Sequence, residues 1–266
     1  MDHLLRGLAP ISQAGWEEIE SEASRTLRHF LAGRKLLDYS ASGGWQRGAV
    51  DLGRIDPVQD GSVRLANRTS APMTEVRVDF VVSRDELAAV DRGAEDMDTQ
   101  PVIDAARSAA LAEDDAVFVG NSEAGIRGIR QATPHKTIKI DKSLDRFPHS
   151  VAKAIDLLAD EGIGGPYGIG MGPRCWQGVM ESSEAGGYPL LKHLRLLLDG
   201  PVVWAPSLSG AVVLSQRGGD YDIVGGQDWA IGYQSHNEET VTLYLEETLA
   251  FLINTPEAAV PLDFAD

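Results

Sequence analysis

Aromatic side chains make up only 6% of this 266-residue chain, and it carries a single cysteine, Cys175. One thiol cannot close an intrachain disulfide, so the fold cannot rest on cross-links, and a reducing cytoplasm suits it. Positive charge is scarce as well: 24 Lys and Arg stand against 40 Asp and Glu, a formal net charge of −16. Nucleic acids and anionic membranes are bound through cations that neutralise phosphate, so neither is expected as a partner. Apolar runs long enough to span a bilayer are missing. The opening residues, Met1 to Pro10, have no apolar stretch of the kind a secretory signal needs, which again points to the cytoplasm.

Catalytic patterns are equally hard to find. The histidines at positions 3, 29, 135, 149, 193 and 236 never fall at metal-ligand spacing on one element, so hydrogen-bonded or solvated imidazoles are expected. Cys175 lies on a predicted helix between Arg174 and Trp176 with no supporting motif, and reads as a buried structural thiol. Gly168-Ile169-Gly170-Met171-Gly172 has the wrong order for a dinucleotide loop; its alternation suggests a strand packed closely against a neighbouring helix. Successive residues of Glu113-Asp114-Asp115 point in different directions on a helix, which makes a shared proton improbable. A solvated or salt-bridged role is expected there, with Asp114 able to anchor a turn. Neither a G-x-S-x-G elbow nor a P-loop occurs. The reading is therefore no enzyme, no metal and no cofactor.

What is present is a substantial apolar fraction, 43%, together with 28 glycines, enough for a large core interrupted by many turns. Ser12 is a good N-cap for a helix whose apolar stripe runs through Trp16, Ile19, Ala23, Leu27 and Leu31 and stops at Gly33. Glu17, Glu18, Glu22, Arg25 and Arg28 are placed on its polar face. Leu36 to Arg68 reads as an extended hairpin, and Thr74 to Ser83 as a half-buried strand with Val76, Val78, Phe80 and Val82 on one face. Alanines 105, 106, 109 and 110 mark a long helix over 101–119. From Gly125 to Gly226 the pattern becomes α/β, with helices over 148–161, 173–180 and 189–198 and strands at 167–171, 202–204, 211–214 and 221–224. A last strand covers 240–253. No linker separates these parts, so the lobes are expected to interleave.

In order along the chain, Leu8-Ala9-Pro10, Trp16, Glu18-Ile19, Ala32-Gly33-Arg34-Lys35, Gly43-Gly44-Trp45, Gly165-Pro166-Tyr167, Gly187-Tyr188-Pro189, Arg217-Gly218-Gly219-Asp220 and Gly226 to Tyr233 closely resemble encapsulins. That family was formerly labelled linocin-type bacteriocins. The resemblance implies an α+β chain with the Hong Kong 97-type major capsid fold of tailed phages. It places an N-terminal helix and arm at 1–42, an extended loop at 43–70, a peripheral domain at 71–130 plus 225–266, and an axial domain at 131–224. It also implies self-assembly into a closed icosahedral shell, of T = 1 size, with pores for small molecules or ions. Such shells enclose a cargo enzyme held by its C-terminal peptide, a dye-decolourising haem peroxidase or a ferritin-like protein. On the matching positions, Leu27, Leu31, Arg34, Asp38, Ile231 and Tyr233 are the expected peptide contacts. For Leu27 and Leu31, simple packing of the helix is the competing reading. Trp229 stands where the family usually has an aliphatic residue. Glu184, Ala185, Gly186, Gly187 and Tyr188 match the loop around the five-fold pore. Older family labels leave a secreted bacteriocin or protease as one alternative, and a DNA-packaging phage capsid protein as another.

Overall fold

The computed structural model describes residues 3–41, 43–59, 61–141, 144–182 and 187–265. Along the chain come α1 (Gln13–Phe30), β1 (Asp38–Ala41), β2 (Ala49–Gln59), β3 (Leu65–Pro72), β4 (Thr74–Ser83), α2 (Arg84–Asp91) and α3 (Gln100–Phe118). The short β5 (Gly120–Asn121) and β6 (Ile126–Arg127) lead to α4 (Ile129–Ala132), β7 (Ile138–Ile140), α5 (Phe147–Asp160), β8 (Tyr167–Met171), α6 (Pro173–Glu181) and α7 (Leu190–Leu198). The chain finishes with β9 (Val202–Trp204), β10 (Ala211–Ser215), β11 (Tyr221–Gly225), β12 (Ala230–His236), β13 (Thr240–Ile253) and β14 (Ala259–Phe264).

These elements form two compact units, each assembled from three separate stretches, so the expected interleaving is present. The first comprises Met1–Thr26, Tyr39–Ala109 and Ile223–Leu252; the second comprises Leu27–Asp38, Ala110–Asp222 and Ile253–Asp266. One boundary between the two units falls between Leu252 and Ile253. The reason lies in β14, whose Val260 and Leu262 are fully buried and whose backbone pairs with β10 and β7 in the sheet of the second unit.

The first unit is organised on β13. Its long antiparallel ladder with β4 runs from Thr240 opposite Ser83 to Leu249 opposite Thr74. Phe80 and Val82 of β4 and Val241, Leu243 and Leu245 of β13 are buried, as a period of two requires. β12 pairs with the same strand, and the sheet continues through β11 to β1. The hairpin β2–β3 is anchored only at its root, where Val50 packs with Val224 and Ala250 beside Met73. Beyond the root Ile55, Val58 and Leu65 are more than half exposed.

The second unit holds a sheet in the order β7-β14-β10-β8-β9. α5 packs against β7, β14 and β10, while α7 packs against α5 and β8. On α5 the buried residues Val151, Ala154 and Leu158 recur at three- and four-residue spacing, and on α7 Leu190, Leu194 and Leu198 recur every fourth residue. Gly162 takes a positive φ of 74° just past α5, the conformation in which glycine ends a helix at least cost. In β8 the close approach expected for Gly168 and Gly170 is real. Leu36, beyond a short 3-10 turn at Gly33–Lys35, lies over both, at 3.0 Å from where a Cβ would sit. The neighbours are thus side chains outside any helix, Leu36 over both glycines with Gln216 beside Gly168.

Burial on α7 yields a direct test. Leu194→Ala empties a site with no solvent exposure and should lower unfolding stability by about 2–5 kcal/mol. Lys192→Ala, on the exposed side of the same helix, should change it by no more than about 0.5 kcal/mol. Denaturant titration of the two variants checks the contrast.

Candidate functional site

In the second unit, the chain leaving α1 is held by two acidic residues of α3. Leu27 and Leu31 are buried, at 8% and 6% exposure, and the Leu31 N–H still donates to the Leu27 carbonyl. The helix does not end on a left-handed Gly33 as its sequence suggests. Instead the chain tightens into the 3-10 turn Gly33–Lys35, which leaves the N–H groups of Ala32 and Gly33 without a helical acceptor. Asp114 supplies one: its two carboxylate oxygens accept from Ala32 at 3.0 Å and from Gly33 at 2.8 Å. Burial pushes the Asp114 carboxyl up to about 7, even though the two backbone donors pull the other way; Glu113 raises it further and Lys35 lowers it.

Glu113 has no solvent exposure and receives Nε and Nη2 of Arg34, each at 2.8 Å. This forked pair matches guanidinium geometry to a carboxylate and satisfies both oxygens. Within the acidic run, Glu113 is thus salt-bridged, Asp114 anchors a turn, and Asp115 is exposed to solvent. Helical spacing carried the signal, since Glu113 and Asp114 follow the buried Ala109 and Ala110 by four residues and share their face. On α1 itself, Glu22 proves buried rather than on the polar face, because its carboxylate bonds Thr26 and Arg25 along the helix.

Asp38 accepts from the Gly219 N–H at 2.5 Å, and the Gln216 amide donates to the Leu36 carbonyl at 2.8 Å. Arg34, Asp38, Gln216 and Asp220 border a cleft of about 90 Å³. That space suits water and falls well below the size of organic ligand sites. Gln216 was not anticipated, and Gly219 was read as part of the matching run Arg217-Gly218-Gly219-Asp220.

The remaining expected contacts belong to the first unit. Ile231, buried on β12, pairs with Leu245. Tyr233 is half-buried, with its hydroxyl bonded to His236 Nδ1 and its N–H donating to the Leu4 carbonyl at 2.8 Å. Residues 3 and 4 thereby lie along β12: the His3 ring stacks on Trp45 with centroids 4.4 Å apart and bonds the Gln227 side chain. Trp229, two residues after Gln227, is half-buried. So Leu27, Leu31, Arg34 and Asp38 are gathered in one unit, and Ile231 and Tyr233 in the other. Of the loop residues, Glu184, Ala185 and Gly186 lie outside the described residues, whereas Gly187 has φ 76° and Tyr188 is exposed.

Chemistry elsewhere is muted. Burial raises the Cys175 thiol to about 11, so it stays protonated at neutral pH. Among the described residues no group of three metal-ligating side chains converges, and no helix is long and apolar enough to cross a membrane.

Comparison with known proteins adds a consistent picture. A family model described as "Encapsulating protein for peroxidase" matches residues 1–250. A type 1 encapsulin shell protein of Rhodospirillum rubrum is 44% identical, with 98% of this chain and 96% of that protein covered. The virus-like particle of Pyrococcus furiosus superposes with a TM-score of 0.65 at 17% identity, over 92% of this chain and 98% of that one. The capsid of Myoviridae phage XM1 gives 0.57 at 11% identity, over 87% and 90%. The fold is accordingly that of the Hong Kong 97-type capsid proteins.

Two outcomes follow from the buried carboxylates. Arg34→Ala takes the guanidinium fork away from the buried Glu113 carboxylate and should cost about 3–5 kcal/mol. Asp114 binds its proton more tightly folded than unfolded, so its contribution to stability is greatest at acid pH and is lost as pH rises through about 7. The slope cannot exceed one proton, about 1.4 kcal/mol per pH unit. Unfolding followed between pH 5 and pH 8 should show that decline, and Asp114→Asn should flatten it.

Proposed function

The chain belongs to the encapsulin shell-protein family, and we propose that it closes into an icosahedral T = 1 compartment around a cargo enzyme. The observation that carries this reading is the hairpin β2–β3, fixed at its root and exposed along the rest of its length. Leu52, Ile55, Val58, Val63 and Leu65 all face solvent there in the single chain. A two-stranded ribbon with apolar side chains and open edges gains by pairing with another copy, and closed symmetry satisfies every copy at once. Net charge of −16 per chain opposes that association, so burial must outweigh repulsion and salt should assist it by screening.

The cargo reading extends to the residues named above. The contacts expected for an extended C-terminal peptide with apolar anchors are Leu27, Leu31, Arg34 and Asp38 in the second unit, and Ile231 and Tyr233 in the first. Tyr233 suits contact best, being half-buried; Leu27, Leu31 and Ile231 already serve the core, while Arg34 and Asp38 already hold Glu113 and Gly219. A dye-decolourising peroxidase is the favoured cargo, supported by the wording of the family description, with a ferritin-like protein as the other candidate. Residues 184–188 would then rim a pore for small molecules or ions. The shell itself does no chemistry in this reading and resides in the cytoplasm.

Purified protein should elute as one very large species and appear as hollow spheres by negative-stain microscopy; a monomer or small oligomer at neutral pH defeats the proposal. Capture is checked by co-expressing a fluorescent protein that carries a peroxidase C-terminal peptide. Tyr233→Ala should leave particles intact and reduce co-purified fluorescence severalfold. Undiminished capture would remove this residue from the contact set.

A further inference from the structure

The chain has six lysines in all, and Lys136, Lys139, Lys142 and Lys153 fall within eighteen consecutive residues of it. In a chain with 40 acidic residues, such a concentration runs against the average field. The second unit shows where three of them sit; Lys142 lies outside the described residues. Lys136, Lys139, Arg146, His149 and Lys153 line a single groove of about 700 Å³, with Asp141 on its wall. Arg146 is the N-cap of α5, and His149 and Lys153 follow on one face of the helix at four-residue spacing. Lys139 stands on β7, an edge strand that pairs with β14 alone. All five side chains are exposed, and among the described residues none of the four cations is bound to a carboxylate.

We propose that this groove is a binding site for a compact oligophosphate, with the lysines of β7 and α5 closing on its charges from two sides. The volume lies within the usual range for small-molecule clefts, which is roughly 300–1,000 Å³. Lysine acts as a mobile point charge, whereas arginine forks onto one planar anion. A wall made mainly of lysine therefore favours several successive phosphate charges over a single carboxylate. The first turn of α5, where His149 and Ser150 border the groove, adds the positive end of the helix dipole. Duplex nucleic acid is disfavoured, because it would span the acidic remainder of the surface as well. A ligand small enough to stay inside the groove feels mostly the nearby cations, since charges beyond about 8 Å are screened at physiological salt.

Isothermal titration of the assembled protein with tripolyphosphate at low salt tests this. Saturable binding is expected, weakened at least tenfold by Lys139→Ala with Lys153→Ala and unaffected by Lys192→Ala, which lies outside the groove. Binding at high ionic strength should fall sharply. A wild-type experiment gives an independent check: tripolyphosphate should slow acetylation of Lys139 and Lys153, read by mass spectrometry, but not that of Lys192. Absence of saturable binding, equal protection of all three lysines, or orthophosphate binding as tightly as tripolyphosphate would overturn the proposal. So would loss of assembly in the double variant with no lysine protection in the wild type, which would mark the groove as a contact between copies.

Discussion

Two carboxylates taken out of water, on Glu113 and Asp114, hold the stretch of chain that follows α1, and much else rests on that attachment. Removing a carboxylate from water costs several kcal/mol unless each oxygen is given a donor. Here the donors are specific: the fork of Arg34 for Glu113, and two backbone N–H groups for Asp114. Neither arrangement survives a shift of the 3-10 turn, because Ala32, Gly33 and Arg34 are consecutive and supply these donors. The penalty of burial therefore becomes a geometric constraint on residues 32–34. Leu36, carried by the same turn, is set over the bare backbone of Gly168 and Gly170, and Asp38 reaches Gly219. One ionic attachment thus seats an apolar contact and a loop contact in sequence.

The two carboxylates are not equivalent. Glu113 is matched by a full positive charge, whereas Asp114 has only dipoles as direct partners and Lys35 as a more distant charge. That difference explains why burial leaves Asp114 close to neutrality in its proton affinity while Arg34 keeps Glu113 in an ion pair. It also separates the two in kind: breaking the first interaction takes the guanidinium fork from a buried carboxylate, while protonating the second leaves its acceptor geometry usable.

Much of this architecture was legible in the sequence, because period and punctuation report local constraints. The strand over 74–83 followed from strict alternation, and α5 followed from its apolar spacing and from Gly162, whose positive φ terminates it. β7, β12 and β14 were not read as strands. Ile138–Ile140 is too short to show a period, Pro261 interrupts β14, and β12 draws its order from the long β13 beside it. The same limit explains Gly33 and Glu22. A glycine after an apolar stripe is a sound stop signal, but a remote carboxylate from α3 settles the conformation; a glutamate can be buried when Thr26 and Arg25 complete its bonds. The family resemblance reached the fold by another route, through ordered short matches that no single constraint explains.

Charge connects the single chain to the assembly of its family. With 40 acidic residues against 24 basic ones, copies repel at long range, and contact must be driven by surfaces that lose apolar area. The hairpin supplies such a surface, since its outer apolar residues Ile55, Val58 and Leu65 are more than half exposed in the single chain. Lysines gathered between β7 and α5 are a different matter, because they make no use of the acidic surplus inside their own unit. Had they served only solubility, dispersal over the surface would have done as well and avoided mutual repulsion. Their concentration in a concave site, on elements held rigid by the buried faces of α5 and β14, is the arrangement expected where several negative charges arrive together from outside the chain.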